Sequence, residues 1–139
     1  MKCLKIHSLK RGWCDKDELL LHAAFQILVD FVEQEKPNKW GIQKDHQKTW
    51  REICALYKWW KKERPSRKEP LDNERIKHPK LELEKVPGSD YLKFVEPDKK
   101  KYAAFYKAAE KQKMLEKQWE NEDRRNLHRL VNIRKFLWT

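Results

Sequence analysis

A mostly α-helical chain is what this sequence predicts, and three observations carry that expectation. Residues 15–36 and 45–64 place apolar side chains at helical spacing, and neither Gly nor Pro occurs for 42 residues after Pro97. Proline, which lacks the backbone donor and fixes φ, falls instead in the middle, at Pro65, Pro70, Pro79, Pro87 and Pro97. The predicted organisation is one small domain in three segments. An N-terminal helical part covers 1–64, an irregular Pro-rich connection 65–97, and a C-terminal helical segment 98–139.

The first helix is predicted from Asp15, where Asp15-x-x-Glu18 fits an acidic variant of the capping box, to just before Pro37. Leu19, Leu20, Leu21, Ala23, Ala24, Phe25, Ile27, Leu28, Val29, Phe31 and Val32 cover most of its cylinder. One polar stripe remains, made of Glu18, His22, Gln26, Asp30 and Glu33. Such a helix belongs at the centre, packed on two sides, so both Ile27 and Phe31 are expected in the core.

The second helix is predicted from about Asp45 to Arg64. Trp50, Ile53, Cys54, Tyr57 and Trp60 recur at helical spacing and face the first helix, leaving Lys48, Arg51, Lys58, Trp59 and Lys62 outside. The last segment carries two apolar arcs, Tyr102 to Trp119 and Leu127 to Leu137. It reads either as one long helix or as two hinged near Asn121-Glu122-Asp123, and one helix of that length would call for a second copy or another partner to cover it. Period-two alternation at Leu81-Glu82-Leu83-Glu84 and at Leu4-Lys5-Ile6 leaves room for a two-stranded β-ribbon.

Charge narrows the function classes. Lys and Arg number 33 against 22 Asp and Glu, giving +11, and charged residues make up 40 % of the chain. That composition leans towards disorder, but seven Trp, four Tyr and five Phe are too many for a solvated tail. No run approaches the ~20 apolar residues of a membrane span, and the opening Met1-Lys2-Cys3-Leu4-Lys5 starts no signal-peptide core, so no membrane partner is expected. Cys3, Cys14 and Cys54 leave one thiol unpaired in any disulfide scheme, which favours a reducing cytoplasm.

Motifs for catalysis are few. The three glycines stand far apart, so neither a phosphate loop nor a dinucleotide fingerprint is present, and no Ser lies in a nucleophile elbow. Cys3, His7, Cys14 and His22 carry zinc-ligand chemistry but match no standard spacing. Glu18, His22, Asp30 and Glu33 form the most acid-base-capable set; the wet edge of a helix accounts for them, and an acidic stripe receiving basic residues from the third helix or a partner is the sharper reading. No catalytic residue, metal or cofactor is assigned.

The basic-aromatic signal is stronger. Lys58, Lys61, Lys62, Arg64, Arg67 and Lys68 surround Trp59 and Trp60 within eleven positions, and Lys100, Lys107 and Lys111 share a helical face further on. Lys and Arg neutralise phosphates, and an exposed indole stacks on a base. The candidate ligand site is therefore Arg51, Lys58, Trp59 and Lys62, helped by Lys107 and Lys111.

The runs Leu20-Leu21-His22-Ala23-Ala24-Phe25-Gln26-Ile27-Leu28-Val29-Asp30-Phe31-Val32-Glu33 and Trp50-Arg51-Glu52-Ile53-Cys54-Ala55-Leu56-Tyr57-Lys58-Trp59-Trp60, with the ending Arg129 to Thr139, resemble small uncharacterised proteins encoded by tailed bacteriophages. The similarity touches both helical parts and leaves the middle unmatched. It implies a setting, the cytoplasm of an infected bacterium, and brings no catalytic residues. The reading favoured is a non-enzymatic binding protein for nucleic acid or a nucleotide, including a sponge for a host nucleotide signal. Its rival is a protein–protein module, an inhibitor of a host enzyme or a virion component, using the Trp-rich helix as a hot spot. An enzyme ranks last, for want of a site meeting the usual criteria. A homo-oligomer is also expected.

Overall fold

The computed structural model describes residues 3–36 and 44–137. It is mostly helical, with three α-helices and one two-stranded antiparallel sheet. Helix α1 spans Lys16–Asp30, α2 spans Gln47–Lys58 and α3 spans Ala103–Asn132; strands β1 and β2 are Leu83–Lys85 and Leu92–Phe94. The chain groups into two units. One combines residues 1–67 with 120–139, and the other is 68–119.

In the first unit, α1 begins one residue after Asp15. The cap is made by the backbone, Leu19 N–H donating to Asp15 O at 2.9 Å, and the Asp15 side chain takes no part. The capping box is thus absent, because Glu18 turns instead to His22 and Arg64. The helix continues as a π-helical turn over Phe31–Glu35 and stops at Lys36, whose left-handed φ of 48° ends the run. Helix α2 is led in by a 3-10 turn, Lys44–His46, and prolonged by a second π-helical turn, Trp59–Glu63, and a 3-10 turn, Arg64–Ser66. The start expected at Asp45 falls within that entry turn.

The core joins α1, α2 and the end of α3. Phe25, Leu28 and Leu56 are fully enclosed, with Leu21, Val29, Phe31, Ile53, Trp59, Trp60, Leu130 and Ile133 around them. Two expectations are corrected here. Ile27 is 48 % exposed and Leu20 62 %, while His22 and Gln26 of the predicted wet stripe are buried. The reason is the N-terminal segment, which lies on that stripe: His7 N–H donates to Gln26 Oε1 at 3.0 Å, and Ser8 meets His22 at 2.7 Å. Leu4-Lys5-Ile6 accordingly forms no strand.

The second unit holds the ribbon and the first half of α3. Val86-Pro87-Gly88-Ser89 closes as a turn with Ser89 N–H on Val86 O at 3.2 Å; Pro87 sits second and Gly88 third at φ 74°, the pattern of a type II turn. Strand β2 therefore follows β1 directly, and Leu81-Glu82-Leu83-Glu84 finds its partner at Leu92–Phe94. Asp98 opens the last helical segment, its Oδ1 accepting from the Lys100 and Lys101 N–H groups. Leu71 N–H donates to Gln112, Tyr106 O–H to Pro97 O, and His78 meets Phe105 edge-on, which ties the connection to α3. Helix α3 runs unbroken for 30 residues, so no hinge occurs at Asn121-Glu122-Asp123. Those residues do another job.

Candidate functional site

Two groups of side chains in the first unit carry the candidate chemistry: a half-buried ionic cluster at the end of α2, and an exposed basic row along its outer side. The cluster gathers residues that the sequence placed on a binding surface. Arg64 makes a two-pronged contact with Asp123, Nε to Oδ1 at 3.1 Å and Nη2 to Oδ2 at 3.0 Å. Arg67 Nη2 reaches Glu122 at 2.6 Å and Asp123 at 2.7 Å. Trp59 Nε1–H donates to Glu122 Oε1 at 3.0 Å. Burial raises the cost of the Asp123 charge, but the two guanidinium groups outweigh it and hold its carboxyl below the usual range. For Arg67, burial opposes the charge and the carboxylates more than restore it, so its pKa rises.

These contacts correct the aromatic half of the predicted platform. Trp59 is 4 % exposed and Trp60 5 %, so neither indole offers a face to a base or to a protein partner. Trp60 stacks on Phe25 at 4.6 Å between centroids, with Arg64 over its ring at 5.0 Å. Trp59 lies against the same Phe25 and under Arg67. Helix α2 packs on α1 on one side and on the end of α3 on the other, so two adjacent indoles can both be core. The signal for this was the acidic pair Glu122-Asp123, which matches Arg64 and Arg67 in number and charge.

The other predicted positions stay at the surface. Arg51, Lys58 and Lys62 are exposed on α2 and its extension, seven and four residues apart, and Lys48 is exposed near its start. Lys58 approaches Glu63 at 3.7 Å, an open contact worth little. Among the described residues, no carboxylate lies within ion-pair distance of Arg51 or Lys62. Lys107 and Lys111 are exposed on α3 within the second unit.

The acid-base set also resolves. His22 lies between Ser8, at 2.7 Å from its Nδ1, and Glu18, at 3.4 Å from its Nε2. The order hydroxyl, imidazole, carboxylate is that of a nucleophile relay. The imidazole is a poor base, however, because burial and then the Arg64 charge push its pKa down. What the arrangement does is satisfy a buried ring and fasten the N-terminal segment to α1. Asp30 accepts from Gln26 at 2.8 Å. Glu33 accepts from Tyr57 at 2.7 Å and pairs with Lys61 at 3.1 Å, which lowers its pKa. The acidic stripe thus receives its cations from the extension of α2 and not from the third helix. A half-open cleft of about 310 Å³ lies here, walled by Ser8, Gln26, Asp30, Glu33, Trp60 and Lys61. With two carboxylates against one ammonium it does not suit a phosphate.

Cys3 is exposed and Cys14 half-buried, and Cys54, expected to face the first helix, is exposed as well, which corrects that expectation. Among the described residues, no group of three or more His, Cys, Asp or Glu is placed to hold a metal ion, and no helix is long and apolar enough to cross a membrane. Comparison with protein-family models, curated proteins and solved structures finds no match for this chain.

Proposed function

We propose that this chain is a non-enzymatic binding protein for a phosphate-rich ligand, nucleic acid in particular, and that it engages the phosphates and not the bases. The observation that carries this reading is the exposed basic row Lys48, Arg51, Lys58 and Lys62, in which Arg51 and Lys62 have no carboxylate within reach among the described residues. Unpaired surface cations in a chain of net charge +11 release counterions when they meet a polyanion, and that release supplies affinity without sequence preference. Lys107 and Lys111 extend the basic character to the second unit. With Trp59 enclosed, stacking adds nothing, so a chain of phosphates is favoured over a single nucleotide. The resemblance to tailed-phage proteins sets the reading in the cytoplasm of an infected bacterium.

Fluorescence anisotropy with duplex, single-stranded and cyclic nucleotide probes tests this. Saturable binding to the two polymers is expected at about 0.1 M salt, where charges a Debye length of ~10 Å apart still interact. Replacing Arg51, Lys58 and Lys62 with Ala is expected to flatten the salt dependence by about one unit of slope per lost phosphate contact. Trp59→Ala is expected to lower folding stability by about 3–5 kcal/mol and to leave the salt slope of the folded fraction unchanged. Absence of saturable binding to either polymer would sink the proposal.

A further inference from the structure

The ribbon of the second unit presents an apolar face whose side chains are exposed among the described residues. Its register pairs Leu83 with Phe94, Glu84 with Lys93 and Lys85 with Leu92. Because side chains alternate, Leu83, Lys85, Leu92 and Phe94 share one face. The ladder continues through Val95 N–H on Glu82 O at 3.0 Å, which brings Leu81 and Glu96 to the same face one step on. Leu81 is 78 % exposed, Leu83 51 %, Leu92 62 % and Phe94 72 %. The opposite face is mixed, with Glu84 and Lys93 paired at 3.8 Å between Tyr91 and Val95. A two-stranded ribbon is marginal without a layer against its apolar side.

We infer that this face is a two-fold contact between copies of the chain, each ribbon packing its apolar side on the other's. The charges on the face select a second copy. Lys85 stands at the turn end and Glu96 at the open end, with Leu83 and Phe94 between them. A two-fold axis in the plane of contact and perpendicular to the strands sets Phe94 against its own mate at the centre. The same axis lays β1 on β1 and β2 on β2, so Lys85 of each ribbon comes over Leu81 of the other, one strand across from its Glu96. The long lysine side chain spans that diagonal, which makes the surface complementary to itself. Among the described residues, Glu96 is paired with the exposed Lys99 at 3.6 Å, a contact readily exchanged. A polyanion does not fit here, because residues 81–96 carry Glu82, Glu84, Asp90 and Glu96 against Lys85 and Lys93. The four apolar side chains supply about half of the ~800 Å² per partner of a standard interface, so the association is reversible and concentration-dependent.

Sedimentation equilibrium on the full chain, from low to high micromolar, tests the inference. A monomer–dimer equilibrium is expected, and Phe94→Glu is expected to abolish it with helix content by circular dichroism unchanged, since Phe94 lies at the surface. Lys85→Glu and Glu96→Lys are each expected to raise the dissociation constant about tenfold, two symmetry-related rim pairs being lost at once. The double exchange Lys85→Glu/Glu96→Lys is expected to restore it. A chain that is monomeric throughout overturns the inference. So does a dimer that these variants leave intact, or a monomer that binds phosphatidylcholine vesicles through Phe94.

Discussion

His22 shows how much one neighbour changes the meaning of a residue. On a helical wheel it belongs to a wet stripe; with Ser8 laid over it, it is a buried imidazole held neutral between a hydroxyl and Glu18. Its pKa is lowered, by burial first and the Arg64 charge second, with Glu18 and Asp123 pulling the other way. The unfolded chain therefore binds a proton that the folded chain resists. The stability this neutral ring contributes is whole above about pH 6.5 and is lost as pH falls below it, with a slope of at most about 1.4 kcal/mol per pH unit. Glu33, Glu52 and Asp123, whose pKa values are lowered, act in the same direction only in the more acid range below about pH 4.5. Urea unfolding of wild type and His22→Gln between pH 8 and 5 is expected to show a decline in the wild type that the variant lacks; parallel curves would remove His22 as the cause. Spacing alone hid this, because the residues that cover His22 come from a segment with no helical periodicity, directly after the short alternation at Leu4-Lys5-Ile6. Trp59 was misplaced for a related reason. Its row of Lys and Arg neighbours describes one side of α2, while Glu122, 63 residues further along the chain, describes the other.

The helices were legible as elements because their apolar periodicity and their Pro boundaries agree, and the positions inside them were less so. Both α1 and α2 end in π-helical turns, at Phe31–Glu35 and Trp59–Glu63, where the wider turn shifts the phase of every later side chain. A wheel drawn at 3.6 residues per turn carries no sign of that shift. It also cannot say which arc of a nearly all-apolar helix stays open, and the structure leaves Leu20 and Ile27, seven residues apart, on the open arc of α1. The two positions thus separate a reading from sequence from a reading from structure. Phe31→Asp puts an unpaired carboxylate into the core and is expected to cost several kcal/mol or unfold the chain. Ile27→Asp, at 48 % exposure, is expected to cost under about 1 kcal/mol. Differential scanning calorimetry of the pair decides it, and equal losses would mean that the open arc of α1 is covered in solution. The ribbon was half legible: alternation marked Leu81-Glu82-Leu83-Glu84, but its partner Leu92–Phe94 is three residues long, too short to stand out from the Pro-rich connection.

At the scale of the whole molecule, burial divides unevenly between the two units. Every member of the hydrophobic core belongs to residues 21–60 or 130–133, in the first unit, and the second contributes only Ala108 to the buried hydrophobic residues. The first unit is also closed by contacts that join distant parts of the chain, Arg64 and Arg67 to Asp123 and Arg129 to Glu52 at 2.8 Å. Its opening requires breaking a core and an ionic cluster together, so its amides should exchange only through a large cooperative event. The second unit relies on one short ribbon, single hydrogen bonds such as Leu71 to Gln112, and ring contacts at the surface, which open locally at little cost. Helix α3 belongs to both units and has no Gly or Pro, yet its halves have different support. Hydrogen exchange read by mass spectrometry is expected to show slow amides in residues 120–132 and fast ones in 103–119, with the change within the helix near Trp119. Raising the protein concentration is expected to slow exchange in the ribbon, through the two-fold contact, and to leave residues 21–60 unchanged. Uniform protection along α3 at low concentration would show instead that the second unit carries cooperative stability from contacts other than those of its side chains described above.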